Sequence, residues 1–290
     1  YVAALCADME EEKAGALSRP LHSIFIGGGT PSLFSDRAIG TILNHAERIF
    51  GFSEGIEITL EANPGTFEQA RFEGFAREGV NRLSIGIQSF QDTQLQALGR
   101  IHSGKESLRA VNMARSAGFD NINLDLMHGL PQQSLENALA DLKQAMDFEP
   151  EHLSWYQLTI EQNTEFYSAP PLLPIEDVLA DIQDAGQDML ARGGYQQYEV
   201  SAYARSGRQS KHNLNYWRFG DYIGVGAGAH GKLTPGDGSY PLRRRKTRLP
   251  KHYLDAALSP QNFCAGEDRI DSSKLKLEFL MNALRLNEGA

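Results

Sequence analysis

Short apolar runs and longer segments with helical spacing take turns along this chain. The runs His22–Gly27, Ile56–Glu61, Arg82–Gln88, Asn121–Met127 and Leu153–Thr159 predict strands. Segments 36–50, 66–78, 91–99, 105–117, 134–147 and 175–192 predict the helices between and after them. Strand and helix alternate without a long polar linker, which favours a parallel sheet wound into a full or partial barrel. Two helix starts carry cap chemistry: Thr66-Phe67-Glu68-Gln69, and Ser134-Leu135-Glu136 after Pro131. The chain opens in a helix-like segment, Val2–Leu17, without an initiator Met. It closes on Lys274–Leu286, whose leucines recur at helical spacing and read as the start of a small helical domain. Both ends read as cuts through a longer protein.

The first predicted strand ends abruptly in glycine: Ile24-Phe25-Ile26-Gly27-Gly28-Gly29-Thr30-Pro31-Ser32. Ile24–Ile26 are expected to be buried on both faces, as inner strands of a parallel sheet are. Glycine admits positive φ and lets another molecule approach main-chain N–H and C=O groups. A tight strand-to-helix turn and a ligand-cradling turn both fit.

The ends of the other strands shift the balance toward the second, although strand ends exit to water and are often polar for that reason alone. They read Glu61-Ala62-Asn63-Pro64-Gly65, Gln88-Ser89-Phe90, Asp125-Leu126-Met127-His128-Gly129-Leu130-Pro131 and Tyr156-Gln157-Leu158-Thr159. In a βα barrel such groups gather on the C-terminal rim. Polar side chains in otherwise apolar strands cost free energy unless paired, so Glu61, Gln88 and Asp125 point to one shared ligand. Two carboxylates, an amide, hydroxyls, bare backbone and Arg100 of Leu98-Gly99-Arg100-Ile101-His102 suit an adenosine joined to an amino acid. Carboxylates accept ribose hydroxyls or hold an ammonium group, and arginine holds a carboxylate in bidentate fashion. Phosphate-loop and dinucleotide glycine motifs are missing.

Composition narrows the class. The 290 residues are 41% hydrophobic and 22% charged, enough for a sizeable core. A net charge of −9 argues against a nucleic-acid surface. Arg243-Arg244-Arg245-Lys246, with Arg248, is the basic cluster, either a solvated loop or a site for acidic groups. No apolar run approaches the roughly 20 residues that span a bilayer, and no signal-peptide pattern opens the chain, so a cytoplasmic protein is expected. Cys6 and Cys264 stand far apart, without neighbours at metal-ligand spacing.

The blocks Ile24–Leu33, Glu61–Gly65, Arg82–Phe90, Leu98–His102, Asn123–Pro131, His152–Glu161 and above all His212–Gly231 resemble the radical SAM proteins related to oxygen-independent coproporphyrinogen III oxidase. Within these the chain is most similar to the HemW-type haem chaperones. The resemblance runs over nearly the whole chain. It implies a partial (β/α)6 TIM-type barrel, here without its first strand and cluster loop, over residues 1–193. A family-specific α/β extension over 194–265 and the start of the helical domain over 266–290 complete the expectation.

The same resemblance implies site residues and partners. Gly28, Gly29 and Thr30 would meet the methionine amino end of S-adenosylmethionine. Glu61, Gln88, Arg100 and Asp125 would contact its ribose and carboxylate, and Gly226 and Ala227 would wall the adenosine, with Leu158 and Thr159 as further neighbours. The family's [4Fe–4S] cluster needs a Cys-x-x-x-Cys-x-x-Cys loop, which this chain lacks; the cysteines are expected upstream of Tyr1, and an electron donor would serve the cluster. His212, Asn213, Tyr216 and Trp217 would bind haem, His230 and His128 being second candidates that read better as structural, and Arg243–Lys246 would engage the propionates. From chemistry alone this aromatic segment also fits a packed core. The expected function is loading haem onto an acceptor haemoprotein, such as a membrane-bound respiratory cytochrome. Oxidative decarboxylation of coproporphyrinogen III and simple haem or nucleoside binding are the alternatives.

Overall fold

The computed structural model describes residues 1–16, 19–65, 69–237, 240–258 and 263–289. Residues 66–68, which hold the expected Thr66 cap, lie outside these. The elements follow the expected alternation: α1 Val2–Glu12, β1 Leu21–Ile26, α2 Asp36–Phe50, β2 Phe52–Ala62, α3 Gln69–Arg77, β3 Arg82–Gln88, α4 Asp92–Ala97, α5 Gly104–Ser116, β4 Ile122–His128, α6 Leu135–Met146, β5 His152–Gln157, α7 Glu165–Ser168 and α8 Glu176–Arg192. After them come β6 Gln196–Glu199, β7 Ala202–Ala204, α9 Lys211–Trp217, β8 His230–Leu233, β9 Leu242–Lys246, α10 Pro250–Ala256, β10 Cys264–Arg269 and α11 Ser272–Ala283.

The chain divides into two compact units. One holds Phe25–Leu33 and Ile58–Ser210; the other holds Tyr1–Ile24, Phe34–Glu57 and Lys211–Ala290. A seven-stranded sheet runs in the order β1-β2-β3-β4-β5-β7-β6. β2 through β5 pair in parallel, and β7 returns antiparallel to β5. With its crossover helices this is an open, partial βα barrel. β1 ends the strand order, so Ile24–Ile26 are half-buried and not covered on both faces as expected.

Strict alternation sorts the residues of β2–β5 to two faces. Ile58, Leu60, Ala62, Leu83, Ile85, Ile87, Ile122, Leu124, Leu126, Leu153 and Trp155 are buried on one face and supply the apolar core. Each fully buried aliphatic side chain there contributes roughly 1.5–3 kcal/mol. The opposite face carries Thr59, Glu61, Arg82, Ser84, Asn123, Asp125, His152, Ser154 and Tyr156, brought level by the register Glu61↔Ser84, Ser84↔Asn123, Asn123↔His152 and Asp125↔Ser154. Helix ends are satisfied locally. Ser134 Oγ accepts the Asn137 N–H at 3.3 Å, as its sequence announced, and Ser103 and Glu106 form a reciprocal capping box before α5.

In the other unit, β10-β9-β8 form an antiparallel sheet. Here the basic cluster departs from both of its sequence readings: residues 243–246 lie in the central strand of that sheet, each paired with an acid. Arg243 meets Glu278 at 2.9 Å, Arg244 meets Glu267 at 2.7 Å and Glu12 at 3.1 Å, and Arg245 meets Asp268 at 3.1 Å. Lys246 is buried between Asp8 and Glu12 at 2.5 and 2.6 Å. Charges engaged in this way support the fold and not a propionate clamp.

Candidate functional site

The polar face of the sheet is built by strand alternation, and its upper end by three turns. After β1, Gly28 and Gly29 have φ of +81° and +61°, and a Cβ on either would meet no atom within 4 Å. A Cβ on Gly27 would instead sit 2.9 Å from the Glu61 carboxyl carbon. The Gly28 N–H donates to Glu61 Oε2 at 3.1 Å, fastening the glycine turn to the end of β2. Thr30 is half-buried beside it.

After β3, Gln88 is held at φ +60°, rare for a residue with a side chain. The turn is locked from behind. Buried Asp141 on α6 accepts from Ser89 Oγ at 2.6 Å and from the Phe90 N–H at 2.9 Å. Gln88 is 5% exposed, yet its Oε1 has no hydrogen-bond partner. A buried acceptor left open costs about 1–3 kcal/mol, so it marks a place for a donor that arrives with a ligand.

Asp125, half-buried on β4, accepts from Asn123 Nδ2 at 2.8 Å and Ser84 Oγ at 3.0 Å. Burial nevertheless pushes its pKa up, against those hydrogen bonds and the nearby Arg82 charge. Burial raises Glu61 as well; the Gly28 N–H opposes the shift and the Asp125 charge adds to it. Two partly buried carboxylates close enough to repel each other favour a cation or a set of hydroxyl donors near them.

Tyr156 joins this group although it was singled out only as part of a strand end. Burial pushes its phenol up to about 12, the Asp125 and Glu61 charges add to the shift, and Arg100 and a hydrogen bond to Gln88 oppose it. Its place level with Met127, two residues beyond Asp125, is set by strand pairing, which the sequence does not show. Arg100 is exposed, Leu158 is buried, and Thr159 is exposed with its hydroxyl 3.4 Å from Glu161.

Glu61, Gln88, Asp125, Tyr156 and the Gly27–Gly29 turn therefore stand together in one unit. Gly226 and Ala227 belong to the other. There the buried Asp8 accepts the Gly226 N–H at 3.0 Å, and the Tyr1 hydroxyl accepts that of Ala227 at 3.1 Å.

The segment His212–Trp217 forms α9 in that second unit. His212 and Tyr216, one turn apart, have ring centroids 4.8 Å apart, and Tyr216 lies 4.3 Å from Tyr222. Trp217 carries a buried indole N–H without a partner, and the Arg285 guanidinium lies 4.3 Å over its ring. Asn213 sits on the same helix, and His230 is exposed at the start of β8. His128 belongs to the apolar, helix-facing side of β4. Its ring lies tilted against Trp155 with centroids 4.2 Å apart, and burial lowers its pKa to about 4.

A parallel βα sheet with a polar face and a glycine turn after β1 suits the radical SAM class, and residues 6–145 match the Radical SAM superfamily. The chain is 52% identical over 285 residues to the heme chaperone HemW of Haemophilus influenzae, covering 98% of this chain and 73% of that protein. It is 51% identical over 290 residues to the Escherichia coli heme chaperone HemW, covering all of this chain and 75% of that one. The structure of coproporphyrinogen III oxidase (HemN) from Escherichia coli superposes with a TM-score of 0.81 at 21% identity, covering 99% and 68% of the two chains, a likeness of fold. The chain belongs to the HemW family of radical SAM proteins.

A radical SAM domain implies S-adenosylmethionine and a [4Fe–4S] cluster. The residues present fit the first: an open buried acceptor, paired carboxylates, a guanidinium and a glycine turn match its hydroxyls, sulfonium, amino and carboxylate groups. They do not fit the second. Cys6 and Cys264 are separate half-buried thiols, and among the described residues no cluster of three or more His, Cys, Asp or Glu could hold a metal. Also among the described residues, no helix is long and apolar enough to cross a membrane.

Proposed function

We propose that this protein is a radical SAM haem chaperone, which binds S-adenosylmethionine on the polar face of its sheet and haem at His212–Trp217, and delivers the haem to an acceptor haemoprotein such as a respiratory cytochrome. The names of its relatives support the haem part. One observation carries the cofactor part: the unpartnered, buried Gln88 Oε1 at the end of β3, in the same unit as the coupled carboxylates Glu61 and Asp125.

In this reading Glu61 and Asp125 accept the ribose hydroxyls and offset the sulfonium charge. Gln88 accepts a ligand N–H or O–H, and Arg100 pairs with the methionyl carboxylate. Gly28, Gly29 and Thr30 leave backbone groups open to the amino end, while Gly226 and Ala227 are assigned to the adenosine by family likeness. When bound, the cofactor supplies a sulfonium-activated 5′-carbon. A cluster and its electron donor belong to the proposal for the whole protein, through ligands other than the two cysteines of this chain. His212 would ligate haem iron, with Tyr216 and Trp217 offering apolar surface to the porphyrin and Asn213 a polar edge.

Two titrations test it. Haem added to wild type is expected to give a shifted Soret band that His212→Ala changes, and S-adenosylmethionine is expected to bind wild type and not Asp125→Ala by calorimetry. An unchanged Soret band overturns the haem assignment; equal binding by both proteins overturns the cofactor assignment.

A further inference from the structure

Asn123 is buried beneath Asp125, two residues back on the same face of β4, and its amide is fully used. Its Nδ2 group donates to Asp125 Oδ1 at 2.8 Å and to Ser84 Oγ at 2.7 Å. Its Oδ1 accepts from Ser154 Oγ at 3.1 Å and from His152 Nδ1 at 2.6 Å. The Ser84 hydroxyl passes its own proton on to Asp125 Oδ2 at 3.0 Å. Reversing the amide would set its carbonyl against the Asp125 carboxylate, which only accepts, so that contact selects the orientation.

The chain of bonds continues away from the site. His152, fully buried, must carry its proton on Nδ1 to reach the acceptor Oδ1. Its Nε2 therefore accepts from the Tyr198 hydroxyl at 2.8 Å. The Tyr198 oxygen accepts the Ser210 N–H at 3.4 Å. Burial, with Arg82 alongside, holds the His152 pKa well below the usual imidazole range, so the ring stays neutral and this tautomer persists.

We infer that Asn123, held in its orientation by His152, is a positioning residue for S-adenosylmethionine binding: its amide donor fixes the direction in which the Asp125 carboxylate faces the ligand. The inference rests on the cofactor reading of this polar face. Of the other groups facing Asp125, Glu61 on β2 repels it and Tyr156 on β5 is neutral, whereas Arg82 on β3 and the Ser84 hydroxyl on Oδ2 favour its ionised form alongside the Asn123 donor on Oδ1.

S-adenosylmethionine affinity measured by calorimetry across pH, on wild type, Asp125→Ala, Asn123→Ala and Asn123→Asp, tests this. Haem titration of the same proteins serves as the folding control. Asn123→Ala is expected to weaken binding by about tenfold, the loss of one charge-assisted hydrogen bond. Its acid limb should also move to higher pH, because Asp125 protonates more readily without the amide donor. Asn123→Asp, which places a carboxylate against Asp125, should bind more weakly still. Haem binding should stay at the wild-type level in all of them. Wild-type affinity and an unmoved acid limb in Asn123→Ala overturn the inference, as does a parallel loss of haem binding, which marks a merely structural role. If wild type and Asp125→Ala bind alike, the cofactor reading itself fails, whatever Asn123 does.

Discussion

The carboxylate of Glu57 on β2 accepts the backbone N–H of His212 at 3.1 Å, and its second oxygen accepts that of Lys211 at 3.0 Å. A buried acid thus closes the open donors at the start of the helix that carries the candidate haem ligand. Lys211 adds a bond from Nζ to the Gly55 carbonyl at 2.7 Å. Removing the acid in Glu57→Ala takes away the acceptor that both amides use and is expected to cost about 1–3 kcal/mol. Haem affinity should fall while S-adenosylmethionine binding is retained, with Glu57→Gln recovering part of the loss. Parallel Soret and calorimetric titrations check it.

Glu61 yields a prediction with a definite sign. Its folded pKa lies above the ordinary carboxylate value of about 4.3, so the native state holds the proton more tightly than the unfolded chain. The protein therefore loses stability as pH rises through the window between those two values. Ligand binding moves the other way, since the ionised form is the acceptor, and it should weaken as pH falls through the same window. In Glu61→Gln the stability slope over this range should flatten and S-adenosylmethionine affinity should drop, read from denaturant midpoints and calorimetry at stepped pH.

His128 works in the opposite direction on stability. Its folded pKa of about 4 lies below the unfolded value, so the unfolded state takes up a proton first as pH falls below about 6.5. Stability is present at neutral pH and is lost progressively down to about pH 4. The loss amounts to about 2 kcal/mol at pH 5. His152, also held low, contributes with the same sign. Replacing the imidazole by a ring that cannot ionise, His128→Phe, should remove its share of the acid loss, visible as a smaller shift in urea midpoint between pH 7 and pH 5.

The glycine turn should respond position by position. Gly28→Ala meets open space but must hold φ +81°, at a cost of roughly 1–2 kcal/mol in stability. Gly27→Ala brings a methyl group within 2.9 Å of the Glu61 carboxyl and should displace that side chain. The first variant is expected to lower the melting temperature with modest effect on ligand affinity. The second should lower S-adenosylmethionine affinity more than tenfold, about 1.4 kcal/mol or more.

Much of the architecture could be read from residue order alone, because strands with period two and helices with period near 3.6 write local geometry directly into the chain. The five predicted strands and six predicted helices recur within a few residues of their expected limits. β2 begins earlier, at Phe52. Glu61, Gln88 and Asp125 were legible as polar interruptions at strand ends. Asn123, His152 and Tyr156 were not singled out, because their role depends on which residue of the next strand lies level with them. That register is a property of the assembled sheet.

What the amino-acid order by itself determined, then, is the succession of elements, the glycine turn and the polar strand ends. The tertiary structure alone decided that three strands set their polar residues level around Asp125, that Gln88 is buried with an open acceptor, and that residues 243–246 are neutralised by Asp8, Glu12, Glu267, Asp268 and Glu278. The physical reason is distance. Hydrogen bonds and charge pairing act over a few ångströms between residues tens or hundreds of positions apart, and packing is what brings those residues within reach.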